Sequence, residues 1–239
     1  MSIKGIVEYV RSGMKQTSNI GVEIEHFITD KNNKSISFYG ENGVGEIFNR
    51  LSPFFEMKVY SNDQLVGLSN GNFHLTLEPA AQLEVSIKPC ESIDEVKVIY
   101  QEFLELLNPV LDEYGYKLVT LGYNPSSKVN ELDLIPKKRY EFMDKYFQAS
   151  GKYGRNMMRG TASTQVSIDY SDEKDCILKL KLANALSPLY ALITDNSPVF
   201  EGENYDGRMI RTKIWSSVDN SRCGIISGSM EKDFSFEKC

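Results

Sequence analysis

Three short stretches place oxygen-bearing side chains at every second position. Glu23 and Glu25 lie in Ile20–Ile28. Gln82 and Glu84 open Gln82–Ile87, with Glu78 just upstream. Gln165, Ser167 and Asp169 alternate through Thr164–Tyr170. In an extended strand, side chains two apart point to the same side. Each stretch, read as a strand, therefore has one polar face. Two carboxylates on one face repel each other unless water or a cation lies between them. A hard cation such as Mg²⁺ takes several oxygen ligands and keeps positions for water and substrate phosphates. If the three strands are neighbours, their faces merge into one acidic patch. Spacing alone leaves open the ordinary solvated face of an antiparallel sheet.

The surrounding pattern supplies elements to hold such strands. Lys58–Tyr60 and Gln64–Leu68 flank Ser61-Asn-Asp63, a hairpin signal. Phe73–Glu78 follows a second turn at Ser69–Asn72. Ser92–Tyr114 carries Val96, Ile99, Phe103, Leu107 and Val110 at helical spacing behind a Ser92/Glu95 capping box. Ile3–Met14 and Lys138–Gln148 read as shorter helices, Gly40–Gly45 as a turn leading into a helix, and Tyr116–Tyr123 as a strand. Asn124–Pro136, Ala149–Asn156 and Asn196–Gly207 read as loops. Asp172–Asp195 reads as a long helix that Pro188 kinks or divides. The strands alternate rather than run continuously apolar, so the expected class is α+β, an antiparallel sheet with helices on one face. The chain is read as one domain over residues 1–239.

Composition narrows the functions. The 239 residues carry a net charge of −6, which argues against general nucleic-acid binding. No uninterrupted apolar run approaches the roughly 18 residues of a membrane span, and Met1–Val10 has no signal-peptide core. A cytoplasmic protein without a membrane partner is expected. Cys90, Cys176, Cys223 and Cys239 form no CxxC pair, so reduced thiols are expected rather than a zinc site or a disulfide framework. Cys223 has no evident basic partner to activate it. His26 and His74 are too few for a histidine metal centre. Gly40-Glu-Asn-Gly-Val-Gly45 lacks the Lys-Ser/Thr of a P-loop.

Five blocks then carry a resemblance: Gly21-Val-Glu-Ile-Glu-His26; Leu77-Glu-Pro-Ala-Ala-Gln-Leu-Glu-Val-Ser86; Ile135-Pro-Lys-Lys-Arg-Tyr140; Met157-Met158 with Thr161-Ala-Ser-Thr-Gln-Val-Ser-Ile-Asp169; and Asn196-Ser-Pro198 with Arg211-Thr-Lys-Ile-Trp215. In this order they resemble the glutamate–cysteine ligase family of plant and proteobacterial type. The resemblance implies a glutamine-synthetase-like sheet, with ATP and Mg²⁺ as substrate and cofactor. It implies ligation of the glutamate γ-carboxylate to an amine such as cysteine through an acyl phosphate. By position, Glu23, Glu25, Glu78, Gln82, Glu84 and Gln165 become metal ligands, although Glu78 could instead close the turn at Pro79. Lys137, Arg139 and Gln165 are assigned to ATP, with a solvated helix start as the alternative for the two cations. Arg211 becomes the clamp for the glutamate carboxylate, and Arg211 and Glu25 the catalytic pair. Met158, Thr161, Ser163 and Trp215 line the amino-acid pocket, with core packing open for Met158 and Trp215.

The chain also departs from the pattern. Ala80-Ala81 replaces Gly-Gly, Ser167 stands at an Asn position, and Gly160-Thr161 replaces Arg-Thr; Arg159 is one position off and does not inherit that role. Phe234-Ser-Phe-Glu237 resembles a mid-sequence segment of the family, which leaves two expectations for the single catalytic-type domain: a shortened ligase, or the N-terminal portion of a longer one. The departures leave the acceptor amine and self-association open. The competing expectations are a non-catalytic nucleotide- or glutamate-binding protein and a half-enzyme completed by a partner.

Overall fold

The computed structural model describes residues 2–238. Cys239, one of the four thiols, lies outside the described residues, as does Met1. The strands are β1 (Ile20–Thr29), β2 (Met57–Ser61), β3 (Gln64–Ser69), β4 (Phe73–Leu77), β5 (Leu83–Cys90), β6 (Lys117–Val119), β7 (Thr164–Ile168), β8 (Val199–Phe200) and β9 (Glu203–Asn204). The helices are α1 (Ile3–Ser12), α2 (Val44–Leu51), α3 (Ile93–Tyr114), α4 (Lys138–Ala149), α5 (Gly154–Gly160), α6 (Glu173–Ile193) and α7 (Ile210–Trp215).

Seven strands form one sheet in the order β2-β3-β4-β5-β1-β6, with β7 also on β1, and every pairing is antiparallel. β1 is its centre. One edge pairs with β5. The other is shared, with Ile20–Ile24 taken by β7 and Phe27–Thr29 by β6. The three strands with alternating oxygen ligands are thus direct neighbours. The β2–β3 turn forms where the sequence indicates, with Asn62 and Asp63 both in the left-handed region at φ 48° and 61°, the conformation of a type I′ hairpin.

One face of the sheet is apolar and carries α2 and α3. Phe48 and Leu51 from α2, and Phe103 and Leu107 from α3, are fully buried with Leu68, Leu75 and Val85. Ser92 caps α3 by accepting the Glu95 N–H, and Gly115 ends it in the left-handed conformation. A second cluster, Tyr123, Val129, Ile210, Ile214 and Val218, ties α7 to the loop after β6.

The α+β, antiparallel expectation holds, but four elements differ from the sequence reading. The Tyr116–Tyr123 strand shortens to Lys117–Val119. Part of the Ala149–Asn156 loop belongs to α5, and the Asn196–Gly207 loop contains the β8–β9 hairpin. Helix α6 runs through Pro188 undivided. Proline removes the N–H that would reach the Asn184 carbonyl, and the Ser187 hydroxyl donates to that carbonyl instead, at 3.0 Å. By length and composition α6 is also apolar enough to cross a membrane. The uninterrupted-run criterion missed this because Lys179 and Lys181 break its first half.

Candidate functional site

The antiparallel register sets the polar face. Glu23 stands opposite Ser86 of β5 and Gln165 of β7, and Glu25 stands opposite Glu84. Period-two alternation sends all of them to one side while Val22, Val85 and Ile87 go to the core. Over this face lies a cleft of about 640 Å³. Its floor carries Glu23, Glu25, Gln82, Glu84 and Gln165, and Glu78 closes one end. Its walls are Arg139 and Met143 of α4, Met157 and Met158 of α5, Thr161 and Ser163 beyond it, and Arg211 and Trp215 of α7.

Glu25 is the most constrained carboxylate. Its Oε2 accepts the Ser163 N–H at 2.8 Å, and its Oε1 accepts from Gln165 Nε2 at 3.1 Å. Burial, then the neighbouring Glu78, push its carboxyl up to about 7, against the pull of the Ser163 hydrogen bond. Glu23 is also raised, by desolvation and then by Glu84. Glu78 is raised by burial and Glu84, with Lys137, Tyr140 and Arg139 opposing. Thr76 donates to Glu84 Oε1 at 2.8 Å, and Ser86 at 3.3 Å.

Arg211 is anchored from behind. Its Nη1 donates to the carbonyls of Gly122 (3.0 Å) and Ala162 (2.8 Å). The Nε and Nη2 groups carry three further N–H donors in a planar fork that suits a carboxylate. Desolvation lowers its proton affinity, and Glu25 opposes that. Trp215 is 43% exposed, so it walls the cleft rather than filling the core. Met158 does both, being 3% exposed within the main core and lining the cleft wall.

Two assignments change once the side chains are placed. Gln82 is almost fully buried, and its amide is already committed. Its Oε1 accepts the Ala80 N–H at 2.8 Å, and its Nε2 donates to the Thr161 carbonyl at 3.0 Å and, at longer range, to those of Met158 and Arg159. Here it is a strut joining the β4–β5 turn to the 158–161 segment rather than a metal ligand. Lys137 does not line the cleft among the described residues. Its Nζ donates to the Leu77 carbonyl at 2.8 Å, close enough to Glu78 and Glu84 to feel their charge. Arg139, two residues on, does line it.

The remaining residues singled out in the sequence take structural places. Asp169 passes the end of β7 and takes the Thr17 hydroxyl and Lys15, away from the cleft. Arg159 turns to Asp144 and the Leu132 carbonyl, so it serves α4 packing. Gly160 lies against Tyr123, where a Cβ would meet the ring at 2.7 Å. Ala81, at the Gly-Gly departure, sits at φ 63°, strain of about 1–2 kcal/mol for a residue with a Cβ. The sequence reading missed Met143 and Met157. The signal for Met143 was its position one helical turn after Arg139.

Among the described residues, no three His, Cys, Asp or Glu side chains converge closely enough to hold a metal ion unaided. Glu25 and Glu84 are each turned toward hydrogen-bond donors. The donor set nevertheless suits Mg²⁺ shared with phosphates. It consists entirely of hard oxygen, and four carboxylates face only two guanidinium groups across the cleft.

This constellation is matched by a family model. Residues 19–239 match glutamate-cysteine ligase family 2 (GCS2), which spans all five blocks. The chain belongs to this family. It is 31% identical over 236 residues to glutamate–cysteine ligase A, chloroplastic, of Oryza sativa subsp. japonica, and 30% identical over the same length to the chloroplastic glutamate–cysteine ligases of Brassica juncea and Arabidopsis thaliana. These matches cover 98% of this family member but 48%, 46% and 45% of the plant proteins. The chain therefore spans about half the length of the relatives it matches.

Proposed function

We propose that this family member supplies the Mg·ATP and glutamate site of an ATP-dependent γ-glutamyl ligase, with cysteine as the first acceptor to test. One observation carries the reading: Glu23, Glu25, Glu84 and Gln165 from three adjacent strands share a single cleft with Arg211 and Trp215. The names of the plant relatives support the reaction class.

The proposed chemistry starts with attack by a γ-carboxylate oxygen of glutamate on the γ-phosphorus of ATP. ADP leaves, and an acyl phosphate forms. The acceptor amine then attacks the acyl carbon, giving the γ-amide and releasing inorganic phosphate and a proton. Arg211 pairs with a carboxylate of glutamate through its free fork, and Trp215 and Met158 flank the side chain. Arg139 sits where it can offset phosphate charge. Glu23, Glu25, Glu78 and Glu84, with Gln165, are the residues that would hold Mg²⁺. When bound, the ion neutralises phosphate charge and aligns the transferring group. Glu25, pinned on both oxygens, keeps its position throughout, and the Ser163–Glu25 link fixes the pocket wall relative to the floor. Such a reaction depends mainly on positioning and charge neutralisation.

A second reading has its own support. Spanning under half of each plant relative, the chain would bind nucleotide and glutamate but turn over only when the rest of the site is supplied. ADP release separates the two, measured with Mg·ATP and glutamate and with or without a panel of amines including cysteine. Turnover that requires both glutamate and an amine supports the ligase. Heats of Mg·ATP binding by calorimetry with background ADP release support the half-site. Neither binding nor release removes both.

A further inference from the structure

Arg211 is carried by α7, a helix of six residues, Ile210–Trp215. A helix that short does not hold itself in water and takes its orientation from its surroundings. Ile210 and Ile214 seat it, both fully buried in the cluster with Tyr123 and Val129. Its start is set by Met209, which has φ 55° and ψ 45°. A residue with a Cβ avoids this left-handed region and stays there only where its surroundings hold it. The Met209 side chain makes no capping hydrogen bond.

The holding group is Asp195. Its Oδ2 accepts the Met209 N–H at 2.7 Å, the short distance of a charge-assisted hydrogen bond. The Met209 carbonyl accepts the Lys213 N–H at 3.2 Å, so Met209 is gripped at both its N–H and its carbonyl. The next residue, Asn196, grips the other side of the Arg211 arrangement. Its carbonyl accepts the Gly122 N–H at 2.8 Å, and its Nδ2 donates to the Thr120 carbonyl at 2.6 Å. Gly122 in turn carries one of the two carbonyls to which Arg211 Nη1 donates. A Cβ at Gly122 would stand 2.9 Å from Arg211 Cδ, so the arginine runs close along this backbone and has little slack to absorb a shift of α7. Asp195 itself lines not the cleft but an adjoining cavity of about 930 Å³, which meets the cleft at Arg211 and Trp215.

We propose that Asp195 is a positioning residue for the glutamate clamp. Its carboxylate holds Met209 in the left-handed conformation from which α7 presents the Arg211 fork to the cleft. Without that acceptor Met209 relaxes toward an ordinary backbone conformation, the first turn of α7 shifts, and the fork moves relative to Glu25 and Trp215. The nucleotide end of the cleft, at Arg139 and the strand carboxylates, is carried by other elements and stays in place. The inference rests on the reading of Arg211 as the group that pairs with glutamate.

The test is calorimetric titration of the full chain with glutamate and, separately, with Mg·ATP. Asp195→Ala should raise the dissociation constant for glutamate about fivefold, the worth of one hydrogen bond, and leave that for Mg·ATP within about twofold. Asp195→Asn keeps an acceptor oxygen and should stay within about twofold of the parent for both ligands. Glycine enters the left-handed region freely, so Met209→Gly added to Asp195→Ala should bring glutamate affinity back to within about twofold of the parent. A role in general stability alone would weaken both ligands together and would not respond to Met209→Gly. Unchanged glutamate affinity in Asp195→Ala, equal weakening of the two ligands, or no recovery with Met209→Gly would each overturn the proposal while leaving Arg211 as the clamp. No glutamate binding by the parent chain would remove the reading of Arg211, and this inference with it.

Discussion

Glu25 and Ser163 hold each other by two reciprocal hydrogen bonds. The Glu25 N–H donates to the Ser163 carbonyl at 2.9 Å, and the Ser163 N–H donates to Glu25 Oε2 at 2.8 Å. A backbone pairing and a side-chain bond thus lock the floor of the cleft to its wall. Glu25→Gln removes the charge but retains an oxygen acceptor. It should leave the melting temperature within a few degrees of the parent and cut Mg²⁺-dependent binding of ATP at least tenfold by calorimetry. Unchanged Mg·ATP affinity in Glu25→Gln, Glu23→Gln and Glu84→Gln alike would remove the metal assignment.

Arg211→Lys keeps a positive charge and loses the planar fork. The expected loss is about 1.5–3 kcal/mol of glutamate binding, roughly a tenfold or larger rise in the dissociation constant for glutamate, with Mg·ATP affinity little changed. Equal weakening of both ligands would show that Arg211 acts through packing.

Gln82→Ala leaves the buried Ala80 N–H without its acceptor and the Thr161 carbonyl without its donor. Each unmet buried group costs about 1–3 kcal/mol. Denaturant unfolding should show a loss of about 2–6 kcal/mol, larger than for Gln165→Ala on the exposed strand. Gln82→Glu should not restore it, because a carboxylate cannot donate to the carbonyls. A loss below that of Gln165→Ala would restore Gln82 as a candidate metal ligand.

His26 gives the fold an acid-sensitive point. It is fully buried, with Nε2 2.8 Å from the Tyr100 hydroxyl and Nδ1 3.2 Å from the Leu83 carbonyl. Burial lowers its titration from 6.5 to about 4, against weaker support from the Leu83 and Ile24 backbone. Because the folded value lies below the unfolded one, its contribution is fully present above pH 6.5 and is lost as pH falls through about 4. The midpoint of urea unfolding should therefore decline from pH 6.5 to 4. His26→Gln, whatever its stability at neutral pH, should show a shallower decline. Equal slopes would exclude His26 as the source.

Gly160→Ala should destabilise by about 1–3 kcal/mol, since its Cβ would strike the buried Tyr123 ring. The same displacement would move Met158 and Thr161 at the cleft. A neutral result by thermal unfolding would show that the ring can yield.

Local signals carry much of the fold. Period-two alternation at Glu23/Glu25 and Gln165 identifies β1 and β7, and the cap at Ser92 marks the start of α3, because these depend on neighbours within a few residues. The Gly154–Gly160 helix is hidden by its glycines. The fate of Pro188 is hidden because it depends on where the Ser187 hydroxyl points. From its residues alone, the chain determined which side chains carry oxygen ligands and that Glu23 and Glu25 share one face of β1, since strand geometry leaves no other choice. Only the tertiary structure decided that β5, β1 and β7 are neighbours, so that three faces become one floor. It also turned Gln82 inward, tied Lys137 to the Leu77 carbonyl and left no residue of α6 buried. The physical reason is the same in each case: strand order, amide satisfaction and burial are settled by contacts between residues tens to more than a hundred positions apart, which no local pattern encodes.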